Sequence, residues 1–298
     1  MVRLTSANLE QVDFTPEVIL HHTLDALEIR ETTLNMIYNA QSGHPGGSLS
    51  SVDILVALYG RILRHNPQNP NWADRDYFIL SKGHAAPALY ATLSHYGYFS
   101  SDLLPTLRQL GSPLQGHPVR GQVPGVECST GELGMGLSVG VGISLSLKVD
   151  RKQNRVYVLL GDGECQEGAI WEAAMAASHY RLDNLVAIVD RNGLQIDGPT
   201  EKVMGLEPLA AKWEAFGWHV IEIDGSDVAQ ILRAFHATRT LIKKPTVIIA
   251  YLVKGSGVPI MEHVQKFHGT PPSKEEYDEA ISLLKQIKAQ LTDSGEEE

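Results

Sequence analysis

Four apolar runs in the second half of the chain dominate what it can fold into: RVYVLL (155–160), LVAIVD (185–190), WHVIEID (218–224) and PTVIIAYLV (245–253). They are rich in Val and Ile and mostly lack the polar alternation of a half-solvated strand, so they read as strands covered on both faces. Between them lie AIWEAAMAASHY, PLAAKWEAFG and DVAQILRAFHATRTL, whose apolar residues recur at helical spacing. Strands joined through helices run parallel, because a parallel pair needs a long crossover. The pattern predicts an α/β fold: a doubly wound, mostly parallel sheet with helices on both faces.

The first half fits the same plan. Thr15-Pro16-Glu17 is a helix-start signal, and helical spacing then persists over 16–40 until Ser42-Gly43. A second helix is expected near Ser51, a short strand at DYFIL, and a third helix after Gly83-His84. From 99 to 133 the pattern weakens among Pro105, Pro113, Pro118 and Pro124, which predicts a long functional loop region with short helices. The Gly/Ser-rich GMGLSVGVGISLSLKV (134–149) is expected as a helix packed closely in a core or interface. Its glycines at 134, 136 and 140 miss the dinucleotide fingerprint, and no strand precedes them. One domain spanning 1–298 is expected, with about 1–15 as an N-terminal extension and about 292–298 as a disordered acidic tail.

Composition excludes some classes of function. A formal charge of −10 argues against a nucleic-acid partner. Cys128 and Cys165 are too few for a disulfide framework, MVRLTSANLEQ lacks a signal-peptide core, and no apolar run reaches membrane-spanning length. The expectation is a cytoplasmic protein without a membrane association.

The chemistry starts at Gly161-Asp162-Gly163, directly after a predicted strand. In an open parallel sheet, ligands bind beyond the carboxyl ends of the strands. The next strand ends in Asp190-Arg191-Asn192-Gly193, so Asn192 emerges at the same edge, about 5 Å away if the strands are neighbours. One carboxylate and one amide oxygen suit Mg²⁺, which completes its octahedron with water and phosphate oxygens. The flanking glycines would let a diphosphate approach, with the Gly163 N–H as donor. Alone, a GDG tripeptide is commonly only a tight turn; Asn192 at the neighbouring strand end is what favours a site.

GDGECQEGAIWEAAM followed by DRNGLQIDG resembles the thiamine-diphosphate motif of transketolases. SGHPGGSLSSVDILVALY (42–59), SKGHAAPALYATL (81–93), QGHP (115–118) and STGELGMGLSVGVG (129–142) agree in order, and the resemblance runs over about 20–270. It implies that Asp162, Asn192 and the Leu194 carbonyl hold Mg²⁺, or Ca²⁺ or Mn²⁺, and through it thiamine diphosphate. Gly163, His84 and His268 would donate to the diphosphate, while Gly131 and Leu133 would meet the aminopyrimidine and hold the cofactor bent. Glu132 stands where the family has a small residue or proline.

Most of the twelve histidines need no function: His21, His22, His65, His95, His179, His219 and His236 fall on predicted elements or solvated ends. His44, His84 and His117 each follow Gly in a loop, where an imidazole can reach a ligand and exchange protons. No short-range ligand pairs suggest zinc. The resemblance gives His44 and His117 the sugar's hydroxyls and carbonyl. It favours His268, in KFHGTPP, over His263 because Gly-x-Pro follows. Glu167 opens the next helix, where the dipole favours a carboxylate anyway; the resemblance places it at the subunit interface, facing the cofactor-activating glutamate of another domain.

That activating glutamate belongs to a pyrimidine-binding domain, and the chain ends before one could begin. The expectation is therefore an N-terminal subunit of a split transketolase. Together with a separate C-terminal subunit, it would transfer a two-carbon ketol unit from a ketose phosphate such as xylulose 5-phosphate to an aldose phosphate. The expected assembly is a homodimer or a two-plus-two heterotetramer. Alternatives are a subunit of another thiamine-diphosphate enzyme, such as a 2-oxo acid dehydrogenase or deoxyxylulose phosphate synthase, and a binding-only protein of the same fold.

Overall fold

Alternate residues of the central strands face opposite cores. On one face, Val156, Val158 and Leu160 pack with Leu185, Ala187 and Val189, and on the other Tyr157 and Leu159 pack with Val186 and Ile188. A strand buried on both faces must be apolar at every position, which is why these runs lack alternation. The computed structural model describes residues 3–5 and 14–295.

In chain order the strands are β1 (Arg3–Thr5), β2 (Tyr77–Leu80), β3 (Val156–Gly161), β4 (Leu185–Arg191), the short hairpin β5 (Leu194–Gln195) and β6 (Gly198–Pro199), β7 (His219–Asp224) and β8 (Thr246–Tyr251). The helices are α1 (Pro16–Ala40), α2 (Pro45–Leu49), α3 (Val52–Ala57), α4 (Ala86–His95), α5 (Met135–Val149), α6 (Gly168–His179), α7 (Thr200–Val203), α8 (Leu209–Ala215), α9 (Val228–Thr238) and α10 (Lys274–Gly295). The main sheet has the order β1-β7-β8-β4-β3-β2, and every neighbouring pair is parallel. Residues of α1, α3, α4 and α9 cover one face, and residues of α5, α6 and α8 cover the other. Among the described residues no helix is long and apolar enough to cross a membrane.

Two terminal expectations are corrected. Residues 3–5 do not lie outside the fold: they extend the sheet, with Leu4 opposite Ile221. Three residues carry too little pattern to announce a strand, and pairing with β7 supplies the rest. At the other end, α10 continues through Gly295, beyond the point where the acidic tail was expected to begin. Its apolar residues Ala280 and Leu284 are buried against α1 together with Leu27 and Leu34, and the Tyr38 and Tyr277 rings stack at 4.0 Å. The rest of both expectations, at 1–2, 6–13 and 296–298, lies outside the described residues.

The glycines of α5 answer to packing. A Cβ at Gly140 would lie 2.6 Å from the Val158 side chain, and one at Gly136 would lie 2.3 Å from Ser81 Oγ. The helix therefore rests on the sheet at a distance only glycine permits. Because all six strands point one way, the loops after β2, β3, β4 and β8 leave from a single end of the sheet, and the site forms there.

Candidate cofactor site

A cleft of about 320 Å³ opens at the carboxyl ends of these strands. The loop after β2 brings Lys82 and His84, the loop after β3 brings Asp162 and Gly163, the loop after β4 brings Asn192 and Leu194, and the chain beyond β8 brings Lys254 and His268. His44, Gly131, Leu133 and Glu167 also stand on its walls.

Asp162 is buried, and its carboxylate organises the floor. Oδ1 accepts the Gly163 N–H at 2.8 Å, while Oδ2 accepts the Gly193 N–H at 2.6 Å and Arg191 Nη1 at 3.1 Å. Burial and then the neighbouring Asp190 carboxylate push its pKa up, against the pull of those donors. The Asn192 amide donates to Asp190 Oδ1 at 3.0 Å and accepts the Leu194 N–H through Oδ1 at 3.1 Å. The Leu194 carbonyl accepts from Lys254 Nζ at 2.9 Å, so it already faces positive charge.

Among the described residues no three His, Cys, Asp or Glu side chains gather as a metal centre. The donor set here is instead a desolvated carboxylate, an amide oxygen and a main-chain carbonyl on one cleft. Those hard oxygens fit a cation that takes its remaining ligands from water and phosphate.

Three of the predicted histidines meet. The rings of His44, His84 and His268 lie 5.2, 5.5 and 5.7 Å apart, centre to centre. Burial, then Arg108, lowers the His44 pKa to about 4, and burial, then Lys254, lowers that of His268 to about 3. His84 falls well below the ordinary value, again chiefly through burial. All three are neutral at pH 7, and each offers one N–H and one lone pair. His44 Nδ1 is buried with no hydrogen-bond partner among the described residues. A buried polar atom left unpaired costs free energy, so this ring is prepared for a ligand.

His117 is not on the cleft wall. It stands exposed behind Gly131, where an added Cβ would come within 3.0 Å of its ring. His263 is exposed and also outside the cleft, whereas His268 is inside. Glu132 lines a separate groove with Met135 and Val139.

Besides Lys82, three polar side chains escaped the sequence reading. Lys254 Nζ lies 2.7 Å from His268 Nδ1, and burial followed by repulsion from Lys82 lowers its pKa to about 8. Glu164 is buried and accepts from Ser81 Oγ, from the Gly134 N–H at 2.9 Å and from the Gly161 N–H at 2.9 Å, binding three loops together. Arg108, exposed and in the left-handed backbone region, donates to Ser42 Oγ at 3.2 Å near His44 and His117. Only Glu164 carried a local signal, its place beside Asp162.

A parallel α/β domain with a polar cleft across four strand ends is a ligand-binding domain of the doubly wound class, here with oxygen donors and neutral imidazoles lining one cleft. Residues 22–287 match the family model described as transketolase, thiamine diphosphate binding domain, and the chain belongs to that family. It is 48% identical over 252 residues to one of the subunits of apulose-4-phosphate transketolase from Phocaeicola vulgatus, covering 85% of this chain and 89% of that protein. It is 43% identical to the 6-deoxy-6-sulfo-D-fructose transketolase subunit SqwG of Clostridium sp., covering 86% and 93%. Against human transketolase it is 38% identical over 87% of this chain but only 41% of that one. The crystal structure of Campylobacter jejuni transketolase superposes with a TM-score of 0.83 at 31% identity, covering 94% of this chain and 48% of that one. The chain thus spans less than half of these full-length transketolases and nearly all of the two relatives named as subunits.

Proposed function

We propose that this chain is the diphosphate-binding half of a two-chain cytoplasmic transketolase. The observation that carries the reading is the convergence of Asp162, Asn192 and Leu194 with His84 and His268 on one cleft. Asp162, Asn192 and the Leu194 carbonyl hold Mg²⁺, for which Ca²⁺ or Mn²⁺ can substitute. The Gly163 N–H, His84, His268 and Lys254 donate to the diphosphate; the neutral imidazoles do so without adding charge. Gly131 and Leu133 contact the aminopyrimidine. When bound, thiamine diphosphate supplies the electron sink that lets a two-carbon ketol unit pass between sugars. His44, neutral and unpaired at Nδ1, exchanges protons with the sugar's hydroxyls, and His117, outside the cleft wall, is assigned to the same sugar.

The partner brings the pyrimidine-binding domain and its activating carboxylate. Leu133, Met135, Val139 and Met175 are exposed apolar side chains on α5, α6 and the loop before them, and Glu167 lies exposed beside them, as a chain boundary requires. Two copies of each chain, or a homodimer of this one alone, satisfy that face. The substrates are a ketose phosphate donor and an aldose phosphate acceptor. The two relatives named as subunits carry the names of apulose 4-phosphate and of a sulfonated fructose, which favours testing donors beyond xylulose 5-phosphate.

The test mixes this chain with a chain bearing a pyrimidine-binding domain and follows ketol transfer from xylulose 5-phosphate, apulose 4-phosphate and 6-deoxy-6-sulfofructose. Turnover is expected only from the mixture with Mg²⁺ and thiamine diphosphate. Full activity from this chain alone would sink the two-chain reading.

A further inference from the structure

Behind the cleft floor Lys82 and Asp190 form an ion pair whose side chains are 1% and 0% exposed. Such a pair is a poor device for stability, because apolar residues of similar size in its place are often neutral or stabilising. Its connections are more informative. Lys82 Nζ donates to Asp190 Oδ2 and to the Gly47 carbonyl, the latter at 2.9 Å. Asp190 Oδ2 also accepts from Ser50 Oγ at 2.6 Å, and Oδ1 accepts from Asn192 Nδ2 at 3.0 Å.

These bonds join three segments that are distant in sequence. Gly47 and Ser50 belong to the α2 turn that starts at His44. Lys82 sits two residues before His84. Asp190 sits two before Asn192, and its Oδ1 turns the amide so that the amide nitrogen faces the core while Oδ1 faces the Leu194 N–H. Without that acceptor the orientation of the amide rests on the Leu194 N–H alone, and one of the two bonds that aim its oxygen is lost.

We infer that Lys82 and Asp190 are positioning residues that orient the Asn192 amide and hold the His44 and His84 turns in register for the cation and diphosphate. The inference rests on the cofactor reading above. Lys82 contributes to the cleft wall, but its ammonium points inward to Asp190 and Gly47, so it acts through its neighbours.

The test compares the wild-type chain with Lys82→Met, Asp190→Leu, the double variant K82M/D190L and Lys82→Arg. Thermal melts report stability, and Mg²⁺ titrations at fixed thiamine diphosphate, followed by calorimetry, report the site. Each neutralising single variant strands a buried charge and melts far below wild type. The double variant recovers most of the melting temperature, yet its half-saturating Mg²⁺ stays about 10–100-fold above wild type, the usual effect of losing a group that orients a metal ligand. Lys82→Arg keeps the charge, folds, and shows the same direction of change. A wild-type Mg²⁺ requirement in both the double variant and Lys82→Arg would reduce the pair to a structural role and overturn the inference. No saturable binding by the wild-type chain would instead overturn the cofactor reading itself.

Discussion

Exchanging Asp162 for Asn separates the two tasks of its carboxylate. Its carboxylate accepts three donors, from Gly163, Gly193 and Arg191. An amide of the same shape keeps one oxygen, so an N–H must face a donor whichever way it turns. The smaller loss places the amide nitrogen toward Gly163, leaving an unsatisfied contact worth about 1–3 kcal/mol. Part of that is returned, because burial and Asp190 already penalise the charged carboxylate, and Arg191 keeps Glu201 and Glu207. A net loss near the bottom of that range, about 1 kcal/mol, is expected without ligand. With ligand the difference is expected to be larger, because Asp162 is the charged member of the proposed donor set. A 100-fold weaker complex corresponds to about 2.7 kcal/mol. At a cofactor concentration one hundred times the wild-type Kd, binding stabilises the wild type by about 2.7 kcal/mol and such a variant by only about 0.4 kcal/mol. Urea denaturation with and without Mg²⁺ and thiamine diphosphate measures both quantities. Equal ligand-induced stabilisation of the two proteins would refute the assignment of Asp162 to the cation.

Two further outcomes follow from the same geometry. His44 and His268 have folded pKa values of about 4 and about 3, below the ordinary 6.5, so the unfolded chain binds their protons first. The stability they contribute is fully present above about pH 6.5 and is lost as pH falls toward the folded values, by up to about 1.4 kcal/mol per pH unit for each group. Denaturation midpoints of wild type and His268→Gln between pH 4 and 7 isolate one share, and parallel profiles would contradict it. Gly83→Ala places a Cβ 2.7 Å from the Gly131 nitrogen and 2.8 Å from the Thr130 carbonyl carbon, both main chain. The loops bearing His84 and Gly131 must separate, at about 1–3 kcal/mol of stability and with weaker cofactor binding; a variant unchanged in melting temperature and affinity would show that the contact yields freely.

The parallel sheet was legible because burial on both faces forces Val and Ile at consecutive positions, and the meeting of Asp162 and Asn192 on one cleft was legible because each follows the end of a neighbouring strand. Other features left weaker marks. The β5–β6 hairpin has two-residue strands and no period to detect. The stripe Tyr277, Ala280, Ile281, Leu284 and Leu291 on α10 has helical spacing, but the charges between diluted it. Lys82 and Asp190 are 108 residues apart, so no local pattern can pair them. His117 follows a glycine in a loop as His44 and His84 do, yet it lies off the cleft wall and against Gly131, a difference that no local pattern around the three histidines marks.

The strand order also bears on how the chain is made. β8 is the last strand of the main sheet to be synthesised, and it lies between β4 and β7 rather than at an edge. Until the ribosome has released residue 251, the flanks of β4 and β7 are unpaired, and such open edges invite association with other chains. Lys254 and His268 emerge just after β8, so the wall they build cannot exist before the sheet is closed. The cleft is therefore complete only after β8 has taken its place between β4 and β7.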